Sequence, residues 1–304
     1  MTATTAEIAS GAAPLVDPGR SGGLADLLRH RYLLRLLVRR ELRSRYQGSL
    51  LGLGWSYVRP AVNFAVYYFI VGIFLALGKN TQNLAIYLFA GMVVLNVFTE
   101  TMTTSTWSVV GNGALVKKIY LPRELFPFAS FLVSAVNMLP ALVILWAGAI
   151  FSGWRPSMLA LGSALLGLAI VAVLSTAVAL LYSGINVYFR DFGQVVDILG
   201  LLIPWSVPMI YPWSVVRDFF GVGSWQLDVY LANPLAVAVS LFQRGFWWPT
   251  TDGPAILARN PKAPVPFPDH LTVRGLIALG VSLILVVLAQ SVFGRLQRRF
   301  AQEL

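Results

Sequence analysis

The chain has 304 residues, of which 57% are hydrophobic and 12% are charged, and its formal net charge is +10. Soluble proteins carry about twice that share of charged residues, so the composition excludes most soluble classes and predicts a polytopic membrane protein. The basic residues cluster beside the apolar runs, which is the pattern that orients membrane proteins and argues against nucleic-acid binding. With no cysteine and only two histidines, the sequence predicts no disulfide and no metal centre built on cysteine or histidine.

The N-terminal region divides into a tail and a basic helix. Residues 1–23 are small and polar and lack the pattern of a signal peptide, so they predict a disordered cytoplasmic tail. Residues 24–45 alternate apolar and basic positions at helical spacing. This pattern predicts an amphipathic helix in the membrane interface, with its arginines facing anionic lipid headgroups. A solvated helix that packs on a soluble subunit is the alternative.

Long uncharged runs predict six transmembrane helices, each near the roughly 20 residues that a bilayer requires. They cover residues 61–78, 84–109, 126–151, 160–185, 196–211 and 275–294. An even number of spans puts both termini on one side, and the basic links identify that side as the cytoplasm. The predicted fold class is therefore an all-α membrane protein with a single transmembrane domain over residues 24–304.

Residues 212–273, between the last two predicted spans, are expected outside the cytoplasm. Two apolar stretches there predict short interfacial or re-entrant helices. The second stretch contains Asn233-Pro234, a good helix start because asparagine caps free amides and proline fits the first turn. Residues 249–270 are rich in proline and predict an extracytoplasmic loop.

The chain lacks the residues that most ATP-driven or catalytic chemistry needs. It shows no phosphate-binding loop, so ATP and Mg²⁺ are expected on a partner chain and no cofactor is predicted in this one. Asp191 and Asp197 stand beside a span and are the carboxylates that a metal-dependent membrane glycosyltransferase would use. That enzyme is the alternative to transport, and a passive scaffold for glycan-assembly enzymes is another.

Glu100 is an acidic residue inside a predicted span, where a charge usually faces a bundle interior or a wet cavity. Asn96, Thr103 and Trp107 fall on the same helical face and extend it into a polar stripe. The stripe predicts either a carboxylate that lines or gates a path, or a structural hydrogen bond to a neighbouring helix through Arg59.

Aromatic residues supply further candidates. Tyr57, Phe64 and Tyr68 lie on one side of the first span, and Trp205 and Tyr211 lie in or near the fifth. Aromatic faces suit the apolar faces of sugar rings, so these residues either line a glycan path or provide ordinary packing and interface anchoring.

Several motifs carry a family resemblance. The run Arg45-Tyr46-x-Gly48-Ser49-x-Leu51-Gly52-x-x-Trp55, followed by Pro60, precedes the first span. Further along the chain come Asn112–Lys118 with Pro122 and Pro127, Arg190-Asp191, Pro208–Tyr211 and Asn233-Pro234. Together and in this order, the motifs resemble the permease subunits of type-2 ABC exporters for polysaccharides, the group that handles O-antigen, capsule, teichoic acid and actinobacterial galactan.

The resemblance implies a homodimer of non-catalytic permeases in the bacterial plasma membrane. Two copies of a separate ABC ATPase subunit, which binds ATP and Mg²⁺, would join it. The helices within 212–273 would form an extracytoplasmic gate. The cargo would be a polyprenyl-diphosphate-linked polysaccharide, with cell-wall galactan or O-antigen as examples, and an exporter of another lipid or of a drug is the alternative.

The resemblance also implies roles for particular residues. The ATPase is expected to dock on the interfacial helix and on the link 112–126, through Arg39, Arg43, Arg45, Lys117, Lys118, Arg123 and Glu124. The substrate path is expected to begin at Trp55 and to include Tyr57, Phe64, Tyr68, Asn96, Glu100, Trp205 and Tyr211.

Overall fold

The structure is a computed structural model that describes residues 23, 27, 29–48, 52–74, 81–118, 121–155, 157–260 and 265–304, without the side chains of Tyr46, Leu53, Arg59, Val71 and Ala301. These residues form helices joined by turns and irregular segments, and none of them forms a strand. The predicted all-α class is therefore confirmed for this part of the chain. The predicted tail 1–23 lies outside the described residues except for Gly23.

The α-helices follow the predicted elements in chain order. Their bounds are α1 Arg31–Tyr46, α2 Trp55–Tyr67, α3 Leu84–Thr106, α4 Gly113–Lys118, α5 Leu125–Phe151, α6 Met158–Tyr188, α7 Phe192–Leu202, α8 Trp213–Phe220, α9 Trp225–Leu231, α10 Pro234–Phe246, α11 Gly253–Arg259, α12 Leu271–Leu296 and α13 Phe300–Glu303. The helix α2 continues as a π-helix over Tyr68–Phe74.

Within the described residues, five helical segments are long and apolar enough to cross a membrane. They are Trp55–Phe74, Leu84–Thr106, Leu125–Phe151, Met158–Tyr188 and Leu271–Arg299. The predicted fifth span instead corresponds to a shorter apolar segment, Phe192–Ser206. Its α-helix ends at Leu202 because Pro204 lacks the backbone N–H that would bond to the carbonyl of Gly200, and the chain passes through a 3₁₀ turn into extended backbone before Pro208.

The centre of the bundle is formed by α3, α6 and α10. The helix α3 packs against α5, α6 and α10, while α6 also packs against α12. In contrast, α12 leaves a row of large apolar side chains exposed, including Leu276, Ile284 and Val287. An exposed apolar face on a helix long enough to span a bilayer is the face that lipid would solvate.

Small residues bring α6 and α10 into close contact. A Cβ atom built at Gly167 of α6 would lie 2.8 Å from the carbonyl oxygen of Ala238 on α10. From the other side, a Cβ at Gly245 would lie 2.8 Å from the carbonyl oxygen of Ala160. Glycine on both helices therefore allows the backbones to approach, as is common between helices in membranes.

The region between α7 and α12 differs partly from its prediction. The side chain of Asn233 accepts a hydrogen bond from Leu235 N at 3.0 Å and Pro234 occupies the first turn, so the predicted start of α10 is confirmed. Most of α10 is buried in the core because it is apolar on nearly every face, and an interfacial position does not describe it. A short helix, α11, lies within the stretch 249–270 that was predicted as a loop, and Pro254 stands in its first turn.

Candidate functional site

A polar cavity of about 670 Å³ opens among α1, α2, α3 and α5. Its polar lining comes from hydroxyl, amide, guanidinium, indole and carboxylate groups on these four helices: Arg45, Trp55, Ser56, Asn63, Asn96, Thr99, Glu100, Thr103, Thr104, Ser134 and Asn137. We call this the polar cavity. Helices as apolar as α3 and α5 tolerate such groups where they face one another or a hydrated space rather than lipid.

The carboxylate of Glu100 joins three helices at the polar cavity. Arg45 Nη1 donates to Glu100 Oε1 at 2.5 Å, and Asn137 Nδ2 donates to the same oxygen at 2.7 Å. The guanidinium balances the charge that α3 carries into the bundle, and both hydrogen bonds offset its desolvation. Glu100 is therefore tied to the end of α1 and to the middle of α5.

The partners of Glu100 differ from the one that sequence reasoning named. Arg45, which was expected only at the ATPase, forms the ion pair, while the side chain of Arg59 lies outside the described atoms. Asn137 was missed, although a lone amide in the middle of an apolar run is a signal that could have identified it. Glu100 therefore holds three helices together and also lines the polar cavity.

Threonines give α3 a hydroxyl surface along the cavity. Thr99 donates to Leu95 O, Thr103 to Thr99 O and Thr104 to Glu100 O, at 2.8 to 3.1 Å. Each hydroxyl thereby donates its hydrogen bond to a carbonyl oxygen of its own helix and keeps lone pairs that can accept a hydrogen bond from a second partner. Sequence reasoning included only Thr103 in the stripe.

The other predicted path residues fall into separate groups. Trp55 and Asn96 line the polar cavity with Glu100, whereas Tyr57 is exposed and is not part of the lining. Phe64 packs on Tyr68, with ring centroids 5.7 Å apart, and its other ring contact is with Phe89. These two aromatics therefore contribute packing between α2 and α3 in this structure.

Trp205 and Tyr211 lie beyond the end of α7. The Tyr211 hydroxyl donates to Trp205 O at 2.7 Å and lies 3.3 Å from the Tyr230 hydroxyl. Burial raises the pKa of Tyr230, so its phenol stays protonated as a hydrogen-bonding group at neutral pH. The structure does not bring this pair to the polar cavity.

A buried hydrogen-bond network holds the segment after α7. Tyr87 donates to Pro208 O at 2.7 Å, and Gln243 Nε2 donates to the same carbonyl at 3.0 Å. Because Tyr87 is on α3 and Gln243 is on α10, the network fixes this segment to the two central helices. Sequence reasoning missed both residues, since neither stands near the segment in the chain.

The predicted docking residues occupy two kinds of position. Arg39 and Arg43 on α1 and Lys117 and Lys118 on α4 are exposed. Arg45 points instead into the polar cavity.

The remaining two predicted docking residues, Arg123 and Glu124, pack in space against the C-terminal part of the chain. Arg123 is half-buried, and its guanidinium carbon lies 5.8 Å from the centre of the Phe300 ring. Glu124 is fully buried and accepts hydrogen bonds from Gln290 Nε2 at 3.2 Å and Gln297 Nε2 at 3.0 Å. A surface role for Glu124 does not fit this position, where the carboxylate holds the link against the end of α12.

A second contact attaches the link to α1. Arg40 Nη2 on α1 donates to Asn112 Oδ1, and Asn112 in turn donates to Ser108 O at 2.7 Å. The link is therefore bonded to α1 on one side and, through Glu124, to the C-terminal segment on the other.

Comparison with known proteins identifies the family. Residues 32–247 match the family described as ABC-2 type transporter, which covers more than half of the chain, so the chain belongs to that family. An O-antigen export system permease protein RfbA of Klebsiella pneumoniae is 24% identical over 274 residues, covering 89% of this chain and 94% of the relative. Another from the same organism is 26% identical over 221 residues, covering 70% and 81%. One from Myxococcus xanthus is 25% identical over 284 residues, covering 92% and 98%. The resemblance inferred from the motifs is confirmed.

Replacing Glu100 should loosen α1. In Glu100→Gln the Arg45 guanidinium loses its charged partner, and this change should cost about 1–2 kcal/mol, equivalent to roughly tenfold faster amide exchange in the last turns of α1. Hydrogen–deuterium exchange measured by mass spectrometry would detect the change. The matched control is Glu41→Gln, because Glu41 lies 3.8 Å from Arg45 in an i,i+4 pair that contributes little. Equal exchange rates in both variants would refute the anchoring role of Glu100.

Proposed function

We propose that this ABC-2 family member is the membrane-spanning, non-catalytic subunit of an ATP-driven exporter of lipid-linked polysaccharide. The observation that carries the proposal is a similarity over about 90% of the chain to permeases named for O-antigen export. A cell-wall galactan or an O-antigen carried on a polyprenyl diphosphate is the expected kind of cargo. The polar cavity supports the proposal physically, because it offers a polar cargo a hydrogen-bonding surface between apolar helices.

The lining of the polar cavity suits a carbohydrate. Sugars present many hydroxyl groups that both donate and accept, and the cavity offers threonine hydroxyls, two asparagine amides besides Asn137, and the indole of Trp55. Trp55 is about half exposed, so its face is available for contact with the apolar side of a ring. The cavity could accommodate only a short part of a polymer at one time.

The topology that we propose keeps six spans. Phe192–Ser206 serves as the fifth span, and the segment 207–211 completes the membrane crossing. Tyr87 and Gln243 hold that segment by donating hydrogen bonds to Pro208 O. Both termini then lie in the cytoplasm with the basic α1, α4 and C-terminal residues. Two such chains form a homodimer, and α8, α9 and α10 contribute to the extracytoplasmic gate.

ATP and Mg²⁺ bind to a separate ATPase in this proposal, and the chain receives its motion mechanically. The exposed cations of α1 and α4 form the docking surface. Displacement of α1 would pull directly on Glu100 through Arg45, and displacement of the link would reach α12 through Glu124. The same contacts that stabilise the resting structure would thus transmit the movement of the ATPase to the polar cavity.

Depletion of the protein tests the proposed cargo. Conditional depletion, followed by extraction and sizing of lipid-linked glycans, should reveal a long lipid-linked polymer that accumulates in the cytoplasmic leaflet. Expression of the wild-type protein in the depleted cells should remove the accumulated polymer, and expression of Glu100→Ala should not. Normal export during depletion would refute the polysaccharide cargo and favour another lipid or a drug, while loss of polymer without an accumulated precursor would favour a glycosyltransferase.

Charge reversal on α4 tests the docking surface. Lys117→Glu should reduce co-purification of the ATPase by about tenfold, because reversing a charge at an interface replaces attraction with repulsion. Arg259→Glu makes the same change on exposed α11, on the opposite side of the membrane in the proposed topology, and should leave co-purification intact. Unchanged recovery of the ATPase with Lys117→Glu would contradict docking at this surface.

A further inference from the structure

A second cavity, of about 720 Å³, lies where α6 and α12 begin. We call it the outer cavity. It is lined by the start of α6, the end of α10, α11 and the segment before α12, and it shares no lining residue with the polar cavity. Its charged and titratable lining consists of Arg155, Arg244, Asp269 and His270.

Two arginines make the outer cavity cationic. Arg155 is exposed, and Arg244 is half-buried near the end of α10. Asp269 is the one acidic lining residue, so the two arginines leave the lining with a net positive charge. An anion of matching geometry would restore neutrality.

Arg244 has donors to spare. Its Nη1 donates to Thr272 Oγ1 at 3.2 Å, which is its one hydrogen bond to the described residues. A guanidinium carries five N–H groups, so several are left for a ligand or water. Burial lowers the pKa of Arg244 because partial desolvation disfavours the cation, and a bound anion would compensate for that desolvation.

The first turn of α12 adds further donors. His270 at the N-cap has positive φ, 53°, and forms no side-chain cap, so the first backbone N–H groups of this 26-residue helix are not capped by it. Thr272 and Val273 of that turn line the outer cavity. A helix N-terminus beside two arginines favours a group with several acceptor oxygens, such as phosphate.

Most of the remaining lining of the outer cavity is apolar, and it borders exposed apolar side chains. Trp248, Leu257 and Phe267 line it, and the rings of Trp248 and Phe267 are 5.7 Å apart. At its edge, Leu159 and Val273 stand on the first turns of two spanning helices with more than half of each side chain exposed. A ligand that fits both the cationic and the apolar part of the outer cavity has a phosphate group and an apolar chain.

We propose that the outer cavity binds the phosphate group of a membrane lipid, with Arg155 and Arg244 as its cationic ligands. The apolar wall holds the beginning of the lipid chain. The site shares no lining residue with the polar cavity, so it can be tested without knowing which cargo the protein exports.

Binding of phosphatidylglycerol to the purified full-length chain in neutral detergent, measured by native mass spectrometry, tests this site. Arg244→Gln and Arg155→Gln should each weaken binding by about tenfold, the loss expected for one charge-assisted hydrogen bond. Arg155 is exposed, so its variant should fold even if Arg244→Gln does not. Arg259→Gln removes the same charge from exposed α11 outside the lining and should bind like wild type.

The outcomes separate the sources of the phosphate. Displacement of the lipid by millimolar inorganic phosphate would support a site that recognises phosphate alone. Weaker binding in both variants without such displacement would support a site that also holds the lipid chain. Equal affinity of the wild type, Arg155→Gln and Arg244→Gln, or an equal loss in Arg259→Gln, would overturn the proposal.

Discussion

The pairing of the Glu100 carboxylate is the interaction on which the arrangement of α1, α3 and α5 depends. A charge inside an apolar helix must be hydrogen-bonded or hydrated, and here Arg45 and Asn137 meet that requirement from two other helices. To reach Glu100, the end of α1 must lie close to α3 while α1 packs on α5, and α5 must turn the Asn137 amide inward. The polar cavity is the space that this arrangement leaves open.

The same ion pair ties α1 to the bundle. In an ordinary amphipathic helix the arginines face lipid headgroups, and such a helix can move without consequence for the bundle. Here Arg45 reaches Glu100, Arg40 bonds to Asn112, and Glu124 fixes the link to the end of α12. A displacement of α1 or of the link would therefore act on α3 and α12, which is what coupling to an external ATPase would require.

Local sequence patterns predicted the helices, and most of the features that these patterns missed depend on contacts between residues far apart in the chain. Glu100 could be identified from sequence because a carboxylate in an apolar run is conspicuous, but its partner Arg45 is 55 residues away and only the packing of α1 on the bundle reveals it. The buried position of α10 depends on the helices packed around it, whereas the short fifth segment follows from a local signal, Pro204, that the apolar run obscured. Glu124 shows the same limit, because its charged neighbours in sequence suggested a surface while Gln290 and Gln297 enclose it.

Photo-crosslinking from Asn96 would test most directly whether the polar cavity is on the export path. A benzoylphenylalanine at Asn96, in cells that make the polysaccharide and with the ATPase arrested, should form an adduct that carries glycan. The same residue at Val143, on the exposed apolar face of α5, serves as the control and should crosslink to lipid alone. Glycan adducts at Val143 but not at Asn96, or at neither position in cells that exported the polysaccharide until the arrest, would contradict the account.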